Sequence, residues 1–386
     1  MRILHLSHDA LPDWRVEKSA ITSSNLGYDV MFAGATRGKS NYTRKTFSKV
    51  YEVNWTAKAR YGIPFYWNSV KKQITRVIHD AKPDLVHAHN IFSAKMVSEL
   101  KLPFVYDDHE YWSKHSQFLT EMEKLAQTTK HNVNKINFFL VNAIKKTRRN
   151  ILNRHAINLW TRWEKELVST TPTITVSNEI ASDFRVIGNN ADSVFVVPNF
   201  PMKFEIENFE KPSFHGKLSS VYAGSDGHNK QQFPNRNIDG LYDMFLNHDI
   251  GDLTIIGWND KSSKKIRYTG YLDRQDMYKE MTNHSIGLIP FRKHWSHYYT
   301  NPNKAYEYAH AGLFVMSVSS LKPVKEILKE HCVTFEDSMD MASKLMYFKE
   351  NLDELHNKRL KLFNYANENL IWEKNEKNIL YAYKMC

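Results

Sequence analysis

Short apolar runs alternate with longer stretches whose apolar positions recur every three to four residues, through most of this 386-residue chain. That alternation is the signature of βαβ units and parallel sheets. One series of strand-like runs covers Arg2–Leu6, Tyr28–Gly34, Leu85–Asn90, Pro103–His109, Thr171–Ser177 and Ser193–Asn199. Several lack the polar alternation of a half-exposed strand, as expected of strands buried on both faces. A second series covers Leu218–Gly224, Asp252–Trp258, Lys265–Tyr271, Ser285–Phe291, Phe314–Ser319 and Val333–Glu336. Between them, Val197-Pro198-Asn199-Phe200-Pro201 is an extended segment bracketed by prolines, which sets a domain boundary near residue 200. The pattern therefore predicts an α/β chain of two Rossmann-like domains, 1–200 and 201–370, with parallel sheets facing a central cleft. Residues 371–386 read as a closing helix that packs back toward the first domain. Ligands of open parallel sheets bind beyond the carboxyl ends of the strands, so functional residues are expected just after strands.

Length agrees with two domains, because single cores stop growing at about 250–300 residues. Two cysteines, Cys332 and Cys386, exclude a disulfide framework and predict a reducing, cytoplasmic setting. The N-terminal run meets His8, Asp9 and Pro12 without a secretory pattern. The longest uncharged apolar stretch, Ile136 to Ile144, falls well short of the roughly 20 residues that cross a bilayer.

The formal charge of +11 changes the picture through its location. No acidic residue occurs from Lys124 to Trp163, within a basic insertion at about 115–170, while Lys145, Lys146, Arg148, Arg149, Arg154 and Arg162 fall there with Phe138, Phe139, Trp160 and Trp163. Two readings stay open: a basic amphipathic helix in peripheral contact with an anionic membrane, or a solvated helical insertion packed on the first domain. A nucleic-acid partner is disfavoured, since the cations are confined to one segment and no recognition motif appears. A dinucleotide-dependent oxidoreductase is disfavoured too, because no G-x-G-x-x-G follows the first strand.

The best-marked helix starts near Asn301-Pro302-Asn303-Lys304. Asn301 suits the N-cap, Pro302 the first helical position and Gly312 the left-handed position past the end. Such an N-terminus is a ready diphosphate site. Glu307 shares a face with Lys304 and Tyr308 and lies about 9 Å along the axis from the cap, a separation that suits a ribose diol. Read blandly, the same residues are a well-capped helix carrying a solvated glutamate.

Taken in order, several motifs resemble the GT-B glycosyltransferases that use nucleotide sugars, particularly their large retaining group. They are Asp13-Trp14-Arg15-Val16-Glu17-Lys18, Pro83-Asp84-Leu85-Val86-His87-Ala88-His89, Tyr106-Asp107-Asp108-His109-Glu110, Thr175-Val176-Ser177-Asn178, Val197-Pro198-Asn199, Gly270-Tyr271-Leu272, Asn301-Pro302-Asn303-Lys304 with Glu307-Tyr308, and Gly312-Leu313-Phe314-Val315. The resemblance implies a nucleoside-diphosphate-sugar donor with its ribose on Glu307, its diphosphate by Thr300, Asn301, Asn303 and Lys304, and its base by Gly270, Tyr271 and Leu272. It implies that Arg236 neutralises the leaving diphosphate, with a solvated loop cation as the plain alternative. His109 is implied beside the transferred sugar, though a base or a polar strand end also fits. Asp13, Arg15 and Lys18 are implied at a glycan or lipid-linked acceptor. No cofactor is implied, and no metal: adjacent Asp107 and Asp108 point to opposite faces of a strand, and His87 and His89 lack an evident third ligand. The chain departs from the family at Tyr299, where many members carry a second glutamate, and lacks the glycine pair expected after the first strand. Besides transfer, a nucleotide-sugar epimerase on the same fold is compatible with this reading.

Overall fold

The computed structural model describes residues 1–36, 46–128, 136–224 and 239–386, with the side chains of 122–128, 136–146, 148, 149 and 239 outside that description. The chain forms two compact units: Met1–Thr120 with Asn132–Asn199 and Asn375–Cys386, and Glu121–His131 with Phe200–Lys374.

The first unit is built on a seven-stranded sheet of β1 (Arg2–Leu11), β2 (Asp29–Thr36), β3 (Lys49–Glu52), β4 (Leu85–His89), β5 (Phe104–Asp108), β6 (Thr173–Thr175) and β7 (Val194–Val196), in the order β3-β2-β1-β4-β5-β6-β7. Every pairing is parallel. Its helices are α1 (Trp14–Asn25), α2 (Pro64–Ala81), α3 (Asn90–Leu100), α4 (Trp112–Thr128), α5 (Ile136–Thr170) and α6 (Asn178–Gly188). β4 and β5 are buried throughout, which explains their lack of polar alternation. β3 escapes the sequence pattern because it is an edge strand, Lys-Val-Tyr-Glu, largely open to solvent.

The basic insertion is helical, as α4 and α5. In the carboxyl half of α5, Ala156, Leu159, Trp160, Trp163, Leu167 and Val168 are buried. Trp163 lies against Trp67 of α2, ring centres 5.2 Å apart. These tryptophans therefore belong to the core of the first unit, as in the second reading of the insertion; Phe138, Phe139, Lys145, Lys146, Arg148 and Arg149 have side chains outside the described set.

The second unit begins with α7 (Lys203–Ile206) and holds a six-stranded parallel sheet: β8 (Ser219–Ala223), β9 (Asp252–Ile256), β10 (Ile266–Gly270), β11 (Ile286–Ile289), β12 (Phe314–Val318) and β13 (Cys332–Phe335), in the order β10-β9-β8-β11-β12-β13. Its other helices are α8 (Asp239–Asn247), α9 (Arg274–Met281), α10 (Lys304–His310), α11 (Lys322–Leu328), α12 (Ser338–Glu350) and α13 (Leu352–Asn369). In each sheet the chain winds outward in both directions from two neighbouring central strands, β1 with β4 and β8 with β11. Those pairs are the switch points where α/β sheets place ligands.

The last helix, α14 (Lys377–Lys384), belongs to the first unit. Its buried Tyr383 places a hydroxyl 2.7 Å from His87 Nδ1 and 3.0 Å from the Ser23 hydroxyl of α1.

Candidate active site

In the second unit the strand ends gather around α10. Tyr308 fixes that helix: its hydroxyl accepts from the Ala223 N–H of β8 at 2.8 Å and donates to the Leu288 carbonyl of β11 at 3.2 Å. Its ring lies where a side chain on Gly287 would stand, with a Cβ at that glycine only 2.3 Å from ring carbon. One turn back, Lys304 stands with its ammonium 4.3 Å from the Tyr222 ring centre and 5.3 Å from that of Phe291. A cation thus sits just past β8 and β11.

Glu307, three residues after Lys304 on the same helix, lies in an ionic cluster. Arg274, the first residue of α9, donates through Nη1 to Glu307 Oε1 at 3.0 Å, through Nε to Glu205 Oε1 at 2.7 Å and through Nη2 to the Tyr278 hydroxyl at 3.2 Å. Glu205 is itself held by the Met202 N–H at 2.7 Å. The guanidinium fork thus joins α7, α9 and α10, and among the described residues it engages only Oε1 of Glu307. Gly270 is left-handed, φ 71°, and a Cβ there would meet Asn259 Oδ1 at 2.5 Å. Beyond it Tyr271 projects, 87% exposed, with Leu272 half-buried.

In the first unit, β5 sends its two aspartates to opposite faces, as strand alternation requires. Asp107 receives Arg15 of α1 through Nε and Nη2, at 2.6–3.1 Å, and lies 3.1 Å from His87 Nε2. Burial raises its carboxyl, but Arg15 and the surrounding imidazoles hold it well below the usual range. Asp108 faces the other way, accepting from the Tyr106 hydroxyl at 2.6 Å, and burial with Glu164 nearby pushes it well up. Beside Asp107 stand four histidines. His5 Nδ1 lies 2.9 Å from His89 Nε2, and His89 Nδ1 lies 3.0 Å from His109 Nε2.

The structure supplies the third potential metal ligand that the sequence does not reveal. His5, His87 and His89 come together, as do His89, Asp107 and His109. In the first group His5 Nδ1 and His89 Nε2 already face each other at 2.9 Å in a hydrogen bond. In the second, the Arg15 guanidinium already neutralises the carboxylate.

Residues 24–200 match the profile of Glycosyltransferase Family 4. Across the whole chain the fold is similar to that of sucrose-phosphate synthase from Thermosynechococcus elongatus, with a TM-score of 0.73 at 10% identity over all of this chain and 98% of that one. It is similar also to HepE of Anabaena, solved with UDP-glucose, with a TM-score of 0.68 at 12% identity over the full length of both. The chain has the GT-B fold. A third GT-B neighbour, a putative UDP-N-acetylglucosamine 2-epimerase from Listeria monocytogenes, has a TM-score of 0.57 at 9% identity over 95% of this chain and 94% of that one. No curated protein sequence matches the chain.

Within this GT-B fold the residues singled out by sequence are placed unevenly. Lys304 and Glu307 fall on one short helix at the strand ends, but that helix differs from expectation. It starts at Lys304 after Asn303, which makes no side-chain cap, and is seven residues long. Pro302 stays outside because its carbonyl closes a tighter turn on the Ala305 N–H at 3.1 Å. The Asn301 side-chain oxygen Oδ1 accepts from the Tyr306 hydroxyl instead of capping. Thr300 turns its hydroxyl back to the Ser296 carbonyl at 2.9 Å. A helix this short gives the macrodipole argument little weight, and the Lys304 ammonium is the stronger attraction for phosphate.

Asp13 caps α1, its Oδ1 accepting from the N–H groups of Arg15 and Val16 at 2.9 and 3.1 Å. Arg15 and Lys18 are each 4% exposed, and Arg15 also donates to the Val197 carbonyl and the Asn199 side chain, both at 2.8 Å. Both side chains are therefore buried, and that of Arg15 is engaged within the first unit. His109 follows β5 with a side chain 12% exposed. Arg236 lies outside the described residues. Sequence reasoning missed Arg274, whose signal was a cation four residues past Gly270 at a strand end, and His5, which only the register of β1 with β4 places opposite His87.

Proposed function

We propose that the protein transfers a sugar from a nucleoside-diphosphate sugar to a glycan or lipid-linked acceptor, with retention of configuration. The observation that carries this reading is the pairing of Glu307 with Arg274 on the same short helix as Lys304. The guanidinium orients the carboxylate through one oxygen, which leaves Oε2 to accept from a ribose diol, while the Lys304 ammonium attracts the diphosphate past β8 and β11. Tyr271, standing free of the unit, offers an aromatic face to the base. HepE was solved with UDP-glucose, so uridine nucleotides are the first donors to try.

In a retaining transfer the departing phosphate oxygen accepts the acceptor's proton, so the protein's task is to stabilise developing charge and to position the sugar. Lys304 takes the first task, with Arg236 as the family resemblance implies, and His109 the second, on the same resemblance. No cofactor or metal takes part in this scheme. No helix among the described residues is long and apolar enough to cross a membrane. An anionic inner membrane face reached through the amino-terminal half of the basic segment would suit a lipid-linked acceptor.

The test is calorimetry with UDP on Glu307→Ala. Loss of two charge-assisted hydrogen bonds should weaken binding by about 3 kcal/mol, roughly a hundredfold. Unchanged affinity would remove Glu307 from the ribose. Incubation of UDP sugars without acceptor separates transfer from epimerisation, since accumulation of the epimer would replace this reading.

A further inference from the structure

We infer that His89 holds His109 as the neutral tautomer with its proton on Nδ1, so that His109 meets its ligand as a hydrogen-bond donor and not as a base. The clause about a ligand rests on the proposed function; the tautomer does not.

Three imidazoles form one chain, His5 Nδ1 to His89 Nε2 at 2.9 Å and His89 Nδ1 to His109 Nε2 at 3.0 Å. Burial and the neighbouring histidines lower His5 and His89 well below the ordinary histidine range, so both are neutral near pH 7. A neutral imidazole has one N–H and one lone pair, and each contact in the chain needs one of each. Only two arrangements satisfy both contacts with a neutral His109. In one, every proton points toward His109, which then carries its own proton on Nδ1. In the other, every proton points toward His5, and Nδ1 of His109 is bare.

The closed end of the chain chooses between them. His5 Nε2 is buried and has no partner. The second arrangement would strand an N–H there, whereas the first leaves only a lone pair, the less costly orphan. The Asp107 carboxylate stands beside this contact, its Oδ2 3.5 Å from His89 Nδ1 and 3.7 Å from His109 Nε2. The far side of that carboxylate is occupied by Arg15 and by His87, which is braced in turn by Tyr383 of α14. Of the nitrogens of His109, only Nδ1 then remains to meet a ligand, as an N–H suited to a sugar hydroxyl or phosphate oxygen.

The experiment is nitrogen NMR on the full chain labelled with ¹⁵N-histidine, with His109 assigned by its absence in His109→Asn. The expected result is a protonated Nδ1 and a bare Nε2 on His109 at pH 7.5. A proton on Nε2, or on both nitrogens, overturns the assignment. So does a shift of the His89 and His109 signals on adding Zn²⁺ or removing it with chelator, which would make the cluster a metal site. His89→Leu should move the His109 proton to Nε2, where only the Asp107 carboxylate remains to be met. His89→Asn, whose NH₂ faces the same carboxylate, should keep it on Nδ1. In transfer assays His89→Leu should lower kcat by about 10²-fold with KM little changed, and His89→Asn should restore most of it. If the NMR results hold while kcat does not move, the tautomer stands and the placement of His109 at the reacting centre falls.

Discussion

Arg274 does the most at the scale of a single residue. It stands between two carboxylates whose side chains are 4% and 14% exposed, Glu205 and Glu307, and each would be a poorly solvated charge without it. Removing one partner of such a pair leaves an uncompensated charge, which costs far more than the pair itself contributes. Arg274→Met should therefore lower stability by about 3–5 kcal/mol in chemical denaturation, and Arg274→Lys by less, since an ammonium keeps the charge though it cannot reproduce the fork. A loss under about 1 kcal/mol would mean that the cluster is screened by solvent. UDP affinity should fall with Arg274→Met even where the protein is folded, because Glu307 loses the contact that orients it.

At the scale of elements, the packing of α5 against the first sheet brings a carboxyl into the interior. Glu164 is 1% exposed, accepts from the Ser113 N–H of α4 at 2.8 Å, and is pushed by burial up to about 7. A raised carboxyl keeps its proton in the folded state after the unfolded chain has released one, so stability declines as pH rises from about 4.5 to about 7. Across that window the cost amounts to about 3 kcal/mol. Glu164→Gln keeps an acceptor for Ser113 and removes the charge. The variant should match the native protein near pH 4.5 and exceed it in thermal stability at pH 8; equal melting at both values would show that solvent reaches the carboxylate. The same element bears on the membrane contact. Trp160 and Trp163 face the core and so supply no lipid-facing surface; for the proposed membrane contact, charge reversal at Lys145, Lys146, Arg148 and Arg149 should abolish sedimentation with anionic vesicles.

For the molecule as a whole, two Rossmann-like units divide the work, and the nucleotide reading concerns the second. A ligand at 100 times its dissociation constant stabilises the folded state by about 2.7 kcal/mol, so a thermal-shift screen of nucleoside diphosphates should raise the melting of that unit with one base above the others. Equal shifts for all bases would mean recognition by phosphate alone, through Lys304, without Tyr271. Much of this architecture was legible in the chain. Twelve strands announced themselves as short, mostly apolar runs, and only β3, solvated at the sheet edge, did not. Lys304 and Glu307 were legible because helical spacing ties neighbours in sequence to one another in space. The start of their helix was not, because Asn301 found the Tyr306 hydroxyl, a partner that competes with capping and depends on the fold. Nor was the burial of Arg15 and Lys18, implied at an acceptor by resemblance, since Arg15 is held by Asp107 of β5 and by the segment around Asn199. The sequence by itself determined the element order and the candidate nucleotide helix, since periodicity and short-range spacing are local. Only the tertiary structure decided that Arg274 holds Glu307 and that His5, His89 and His109 share two protons, because those contacts join strands and helices far apart in the chain and depend on register.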